Sequence, residues 1–290
     1  IRKQTFSTLR DGGTRWTNGP NWLDRLAASW RMTATRALGP DGQPGTSDDG
    51  TVYAFSGTTT GCSTSACVAP VYRAAGAPGV PAGTDIRQLG QIERYLARVG
   101  GVADPAALYV NLAGVNNVVR AIDAADGTAR MLAAAAEVVA GVDALVGAGA
   151  RHIMVPTIYD VGMAPIYAGD PARALRASRL SQQFNNAVSR ALAALSVEGL
   201  FFYRPNFYGL FRNLQATPEA YGFADGLSRC GGACVADGTA IANPAYVWLD
   251  GLHPTTDAQR RMAALARTSV MVRQSPAGAA MRPEAAILSG

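Results

Sequence analysis

ALYVNLA (Ala107–Ala113) runs without a break into Gly114-Val115-Asn116-Asn117, continues as a helical region to about Val146, and returns as a second apolar strand, HIMVPT (His152–Thr157). This stretch decides the fold. A short apolar run rich in β-branched and aromatic residues reads as a buried strand, while Val138, Val142 and Leu145 recur at helical spacing. A strand, a long helix and another strand imply a crossover, and crossovers join parallel strands. The alternation extends in both directions. Downstream, Asp170 can cap a helix that has Pro171 at its first position and Leu180, Phe184, Val188 and Leu192 at i, i+4 spacing. LFFY (Leu200–Tyr203) reads as a further strand and Thr255–Arg267 as a closing helix. Upstream, Trp22–Thr35 and Asp85–Arg98 read as helices, the second with Ile86, Leu89, Ile92, Tyr95 and Leu96 on one face. Between them TVYAFS (Thr51–Ser56) reads as a short strand closed by Gly57. The expected fold is a three-layer α/β sandwich around a mostly parallel, five-stranded sheet, with ligands at the carboxyl ends of the strands.

Composition sets the bounds. With 290 residues and 48% hydrophobic content a sizeable core can be buried, which excludes a disordered chain. Only 16% of the residues are charged, so Ser, Thr, Asn, Gln and Gly must cover much of the surface, as suits an extracellular or periplasmic protein. The net charge is +5, and Lys3 is the only lysine. Basic residues are scattered and no nucleic-acid module occurs, so no nucleic-acid partner is expected. Met131–Ala150 has the length of a membrane span, but Glu137, Asp143 and its Ala and Gly content make it a core-facing helix. The four cysteines form two close pairs, Cys62 with Cys67 and Cys230 with Cys234. Local disulfides are the simplest pairing and point to an oxidising compartment; a zinc site is the alternative. In the loop Gly39–Gly50, Asp41, Asp48 and Asp49 can ligate calcium, although a solvated loop is the plainer reading because EF-hand spacing is absent. Residues 1–273 are expected to form a single domain, with 274–290 as a Pro- and Ala-rich extension.

There are two histidines. His152 opens an apolar strand and reads as structural. His253 lies in Trp248-Leu249-Asp250-Gly251-Leu252-His253-Pro254-Thr255, a turn just before a helix. Asp250 can fold back onto the imidazole Nδ1 proton, fixing the tautomer and leaving Nε2 to take a proton from a nucleophile. Asn116 follows directly on a predicted strand, where its amide can donate to a developing oxyanion. Gly57 also closes a strand, and without a Cβ its backbone N–H can approach a substrate oxygen closely.

These motifs, in this order, resemble the GDSL, or SGNH, family of lipases and esterases, in particular the bacterial branch of autotransporter esterase passengers and glycerophospholipid-cholesterol acyltransferases. Arg15-Trp16-Thr17-Asn18-Gly19-Pro20-Asn21-Trp22 is similar to the family's R-[FW]-[ST]-N-G-P-x-W segment. Tyr53–Thr59 resembles the second block, Leu108–Asn117 the third and Asp250–Thr255 the fifth. GARHI (Gly149–Ile153), Val155-Pro156 and SQQFNNA (Ser181–Ala187) resemble the segments between them. The resemblance implies an SGNH-hydrolase, flavodoxin-like sandwich. Gly57 and Asn116 then correspond to oxyanion-hole residues, His253 to the general base and Asp250 to its partner, with no metal or organic cofactor. Two supporting positions depart from the pattern: Asn117 stands where the family often has Asp, and Val52 where it often has Asn.

The first block, a hydrophobic strand ending in Gly-Asp-Ser-Leu, does not occur. Phe6-Ser7-Thr8-Leu9 matches it poorly, with Thr8 at the nucleophile's place. The nucleophilic Ser is therefore expected just upstream of Ile1, on a strand lying between those assigned to Thr51–Ser56 and Ala107–Ala113. The expected activity is a serine-type carboxylic ester hydrolysis. An acyltransferase on the same site and a non-catalytic binding protein on the same frame are the alternatives. The expected partner is a small-molecule or lipid ester, and the expected location is secreted, periplasmic or at the bacterial cell surface, including association with the outer membrane. Tyr159, Met163, Tyr167, Phe207, Tyr208 and Phe211 line an acyl pocket or belong to the core.

Overall fold

Strands β1 (Leu108–Val110), β2 (His152–Met154) and β3 (Phe201–Tyr203) form a parallel sheet in that order. The computed structural model describes residues 16–35, 47, 50–54, 58–61, 87–236, 239–240 and 245–274. Tyr109 pairs with Ile153, which pairs with Phe202. Backbone bonding continues past the strands from Asn111 N–H to the Met154 carbonyl (2.8 Å) and from Val155 N–H to the Tyr203 carbonyl (2.9 Å). Ile153 and Met154 are fully buried, as an inner parallel strand covered on both faces requires.

The helices are α1 (Trp22–Ser29), α2 (Gln88–Arg98), α3 (Val115–Ala121), α4 (Gly127–Gly147), α5 (Pro171–Ala193), α6 (Phe207–Ala216) and α7 (Thr256–Gln274). Helices α2, α3 and α5 pack on α4, whereas α1 packs on α7, which also meets β3. The result is the three-layer α/β/α sandwich. Met131, Ala134, Ala135, Val138, Val142 and Leu145 form the buried stripe of α4, so this apolar segment is a core helix. Among the described residues no helix is long and apolar enough to cross a membrane.

Several expectations are corrected. The described residues hold three strands of the central sheet. A separate parallel pair, β4 (Asp225–Arg229) with β7 (Tyr246–Trp248), stands beyond it, and β5 (Val235–Ala236) and β6 (Thr239–Ala240) form a small antiparallel ribbon. The Trp248 indole N–H donates to the Gly226 carbonyl (3.0 Å) and ties this pair together. Of the strand expected at Thr51–Ser56, residues 51–54 hold a single bridge at Val52, and the N–H groups of Thr51 and Val52 both turn to the Thr35 carbonyl. Residues 55–57 lie outside the described segments. Helix α1 ends at Ser29 rather than Thr35, just ahead of Arg31 at φ 59°, a left-handed residue that stops a helix. The long helical region after β1 is two helices, α3 and α4. The closing helix runs on to Gln274, and 275–290 lie outside the described residues.

Helix α5 begins as its sequence foretells. Asp170 accepts the Arg173 N–H (3.0 Å) with Pro171 behind it. Its polar stripe holds the chain that leaves β2. The buried Asn185 amide accepts the Ile158 N–H and donates to the Ile158 carbonyl (2.9 Å each), replacing the strand partner this residue has lost. Ser181 Oγ accepts the Val161 N–H (3.2 Å). The wholly buried Asp160 receives Ser178 Oγ, the Gly162 N–H and Arg212 Nη1.

Candidate active site

His253 sits in a turn that the fold grips from several sides. Strand β7 delivers it and the first turn of α7 follows it. Leu249 N–H donates to the His253 carbonyl (2.8 Å), closing the turn. The Tyr159 hydroxyl donates to the Leu252 carbonyl and Ile166 N–H to the Gly251 carbonyl, both at 2.9 Å. Tyr159 is fixed in turn by the α5 contacts to Ile158 and Asp160. Burial, and then the Asp250 charge, push the Tyr159 phenol far above its ordinary range, so it stays a donor.

Within the turn, Asp250 Oδ1 accepts the N–H groups of Leu252 and His253, each at 2.7 Å. The same carboxylate meets His253 Nδ1, with Oδ2 at 2.8 Å and Oδ1 at 3.1 Å. Burial works against the charge on Asp250. The hydrogen bond and charge of His253 and the two backbone N–H groups outweigh it and hold its pKa below the ordinary 3.8. A carboxylate bonded to Nδ1 orients the ring and leaves Nε2 as the proton acceptor. The His253 side chain is 31% exposed and Asp250 22%, so the pair lies at a rim open to a small molecule.

Sequence reasoning missed what covers the imidazole. Trp16 stacks on His253 with ring centroids 4.7 Å apart and planes within 6°. The segment carrying Trp16 is clamped to the start of α7. Asn18 Oδ1 accepts the Thr256 N–H (2.8 Å), Thr256 Oγ1 donates to the Pro20 carbonyl (2.8 Å), and Gln259 Oε1 accepts the Trp22 N–H (3.0 Å). A Cβ on Gly19 would come within 2.9 Å of Thr256 Oγ1, so this close approach requires glycine. The R-W-T-N-G-P run was legible as a motif, but that it braces the histidine turn is a contact across more than 230 residues.

Asn116 stands at the second position of α3, just after β1. Its Nδ2 donates to the Thr58 carbonyl (2.9 Å). Asn117 reaches the same segment: its Oδ1 accepts the Thr60 N–H (3.2 Å) and its Nδ2 donates to Thr60 Oγ1 (2.9 Å). Both asparagines thus fasten the chain that follows residue 57. Gly57 itself lies outside the described residues, as do Cys62, Cys67, Asp41, Asp48 and Asp49. Gly114 has φ 123°, which lets α3 start sharply off the strand and puts Asn116 at the sheet's carboxyl edge. Strands β1 and β2 are neighbours, so Asn116, after β1, and the His253 turn, held by Tyr159 after β2, border one carboxyl edge of the sheet.

The other candidates fall elsewhere. His152 opens β2 at the opposite end, stacked on Phe201 (5.2 Å), with Nδ1 2.9 Å from the Tyr203 hydroxyl. Tyr159, Tyr167, Phe207 and Phe211 are core residues, while Met163 and Tyr208 are half-buried. Cys230 and Cys234 form a disulfide, not a zinc half-site. Among the described residues no group of three or more His, Cys, Asp or Glu can hold a metal.

The family model described as GDSL-like Lipase/Acylhydrolase matches residues 4–266. The chain is also 30% identical over 181 residues to a Pseudomonas putida protein described as "Uncharacterized protein in trpE-trpG intergenic region". That match covers 58% of this chain, which spans only 29% of the relative's length.

Proposed function

Because the chain belongs to the GDSL-like Lipase/Acylhydrolase family, we propose that it is a serine-type carboxylic ester hydrolase working with His253, Asp250, Asn116 and the Gly57 N–H. The observation that carries this reading is the Asp250 carboxylate 2.8 Å from His253 Nδ1, in a turn braced at the sheet's carboxyl edge. We take the nucleophile to be a serine on a strand beside β1. Supporting this, β1 is a terminal strand among the described residues, and its three residues are apolar or aromatic yet only half-buried, as suits an edge awaiting a neighbour.

The serine hydroxyl attacks the acyl carbonyl while its proton passes to His253 Nε2. Asp250 stabilises the resulting imidazolium, and the Trp16 face lies against it. The carbonyl electron pair moves onto oxygen, where Asn116 and Gly57 donate hydrogen bonds. Collapse expels the alcohol, which takes the proton from His253 and leaves an acyl-serine. Water then enters by the same steps and releases the acid, whereas a second alcohol in its place gives acyl transfer. The substrate is a small-molecule or lipid ester. The Cys230–Cys234 disulfide supports a secreted, periplasmic or cell-surface location.

Fluorophosphonate labelling of the native protein, with mass mapping of the modified peptide, is the test. Label on a single serine, lost in His253→Ala, is the expected result. Absence of label on native protein would leave only a binding role for this frame, and label that persists in His253→Ala would remove the histidine as its base. Asn116→Ala is expected to lower turnover of a p-nitrophenyl acyl ester by about 100- to 1000-fold with little change in Tm; unchanged turnover refutes its role.

A further inference from the structure

We infer that Glu137 on α4 is a positioning residue for the oxyanion-hole segment, acting through Thr60 and Asn117, and that Glu137 and Asn117 are an interdependent pair. The inference rests on the proposed esterase site and adds Thr60 and Glu137, which no motif of that site includes. Glu137 Oε2 lies 2.6 Å from Thr60 Oγ1. A carboxylate oxygen only accepts and a hydroxyl has one proton, so that proton belongs to Glu137. Thr60 Oγ1 must then act as acceptor toward Asn117, which turns the amide nitrogen to it at 2.9 Å. The Asn117 oxygen is left for the Thr60 N–H at 3.2 Å. One carboxylate thus fixes every donor and acceptor in the chain, including which way the Asn117 amide faces.

Thr60 is wholly buried, so its hydroxyl and N–H cannot turn to water instead, while Glu137 and Asn117 are half-buried. The contact is also tight: a Cβ on Gly61 would come within 2.9 Å of the Glu137 carboxyl carbon. Two residues before Thr60, the Thr58 carbonyl takes one N–H of Asn116 and leaves the second for an oxyanion. Holding Thr60 therefore holds the anchor of Asn116 and the segment that follows Gly57. The substitution Asn117→Asp would present a second acceptor-only carboxylate to a hydroxyl whose single proton Glu137 already takes. Adding Glu137→Gln would restore the balance by reversing the chain, because the amide introduced at position 137 donates to Thr60 Oγ1 and the hydroxyl then donates to the carboxylate introduced at position 117.

The test compares Asn117→Asp, Glu137→Gln, the double variant and Thr60→Val by kcat and KM on a p-nitrophenyl ester and by thermal unfolding. Asn117→Asp and Thr60→Val are expected to lose about tenfold in kcat with KM within about twofold, Glu137→Gln about threefold, and the double variant should recover to within about threefold of the native enzyme. A fully active Asn117→Asp, or a double variant no better than it, overturns the inference. So does a loss appearing only in KM. Should Asn117→Asp fail to fold, Thr60→Val still decides, because a valine with undiminished kcat leaves the hydroxyl no role. Should the native protein hydrolyse no ester, the esterase reading fails by itself. The pairing is then judged by whether the double variant regains the Tm that Asn117→Asp loses.

Discussion

At His253 two neighbours act on different properties of one ring: Asp250 sets which nitrogen carries the proton, and Trp16 presents a π-face to the charge that forms when the other takes one. Replacing Trp16 by Leu removes an electrostatic contribution of about 1 kcal/mol and is expected to lower kcat by about five- to tenfold. Trp16→Phe should keep most of the rate, and kcat and KM measured on one ester check both. Asp250 also links the turn to pH. Its pKa is lowered in the folded chain, so its contribution to stability is complete above the ordinary 3.8 and is lost as pH falls through the lower folded value. The Tm gap between native protein and Asp250→Asn should therefore be constant near neutral pH and shrink in acid below about pH 4. A gap that widens there contradicts the assignment. The sequence made the Asp250–His253 pairing legible because three residues and a glycine turn leave the chain little else to do. It showed Trp16 as part of a motif but gave no sign that this ring, from the far end of the domain, covers His253.

At the scale of elements, the short helix α3 shows how local signals and packing combine. Gly114 was readable as a turn residue, but the structure adds that a Cβ there would lie 2.5 Å from the Phe184 ring at φ 123°. Gly114→Ala should cost about 1 to 3 kcal/mol from the backbone alone and displace Asn116, seen as a lower Tm together with a lower kcat. Helix α5 was legible at its start because capping is a local matter, settled by Asp170 and Pro171. Its polar stripe was not, since Ser178, Ser181 and Asn185 satisfy a loop that the sequence does not show them touching. Glu137 stood out as an acid in an Ala- and Gly-rich run, and was read only as an argument against a membrane span. Of the TVYAFS segment the described part holds one bridge at Val52: alternation and β-branched content describe a residue's preference, whereas a strand needs a partner edge, and Thr51 and Val52 direct their N–H groups to Thr35.

For the whole molecule, the feature with the largest consequence is β1, a terminal strand of its sheet among the described residues. If the proposed serine-bearing strand pairs with β1, a form lacking that strand should unfold at a lower temperature than one carrying it and take up no fluorophosphonate. Equal Tm and equal labelling in the two forms would dismiss the strand. The amino-acid order by itself determined the α/β class, the parallel crossover from β1 to β2, the cap of α5 and the histidine turn, because each depends on residues within one or two turns of chain. Only the tertiary structure decided that Trp16 faces His253, that Asn18 braces Thr256, that Glu137 governs Asn117, and that the aromatic residues after β2 and β3 go mostly to the core. Those outcomes depend on which buried polar groups meet across the sandwich, and hydrogen bonding and close packing are satisfied in space, with no periodicity along the chain to announce them.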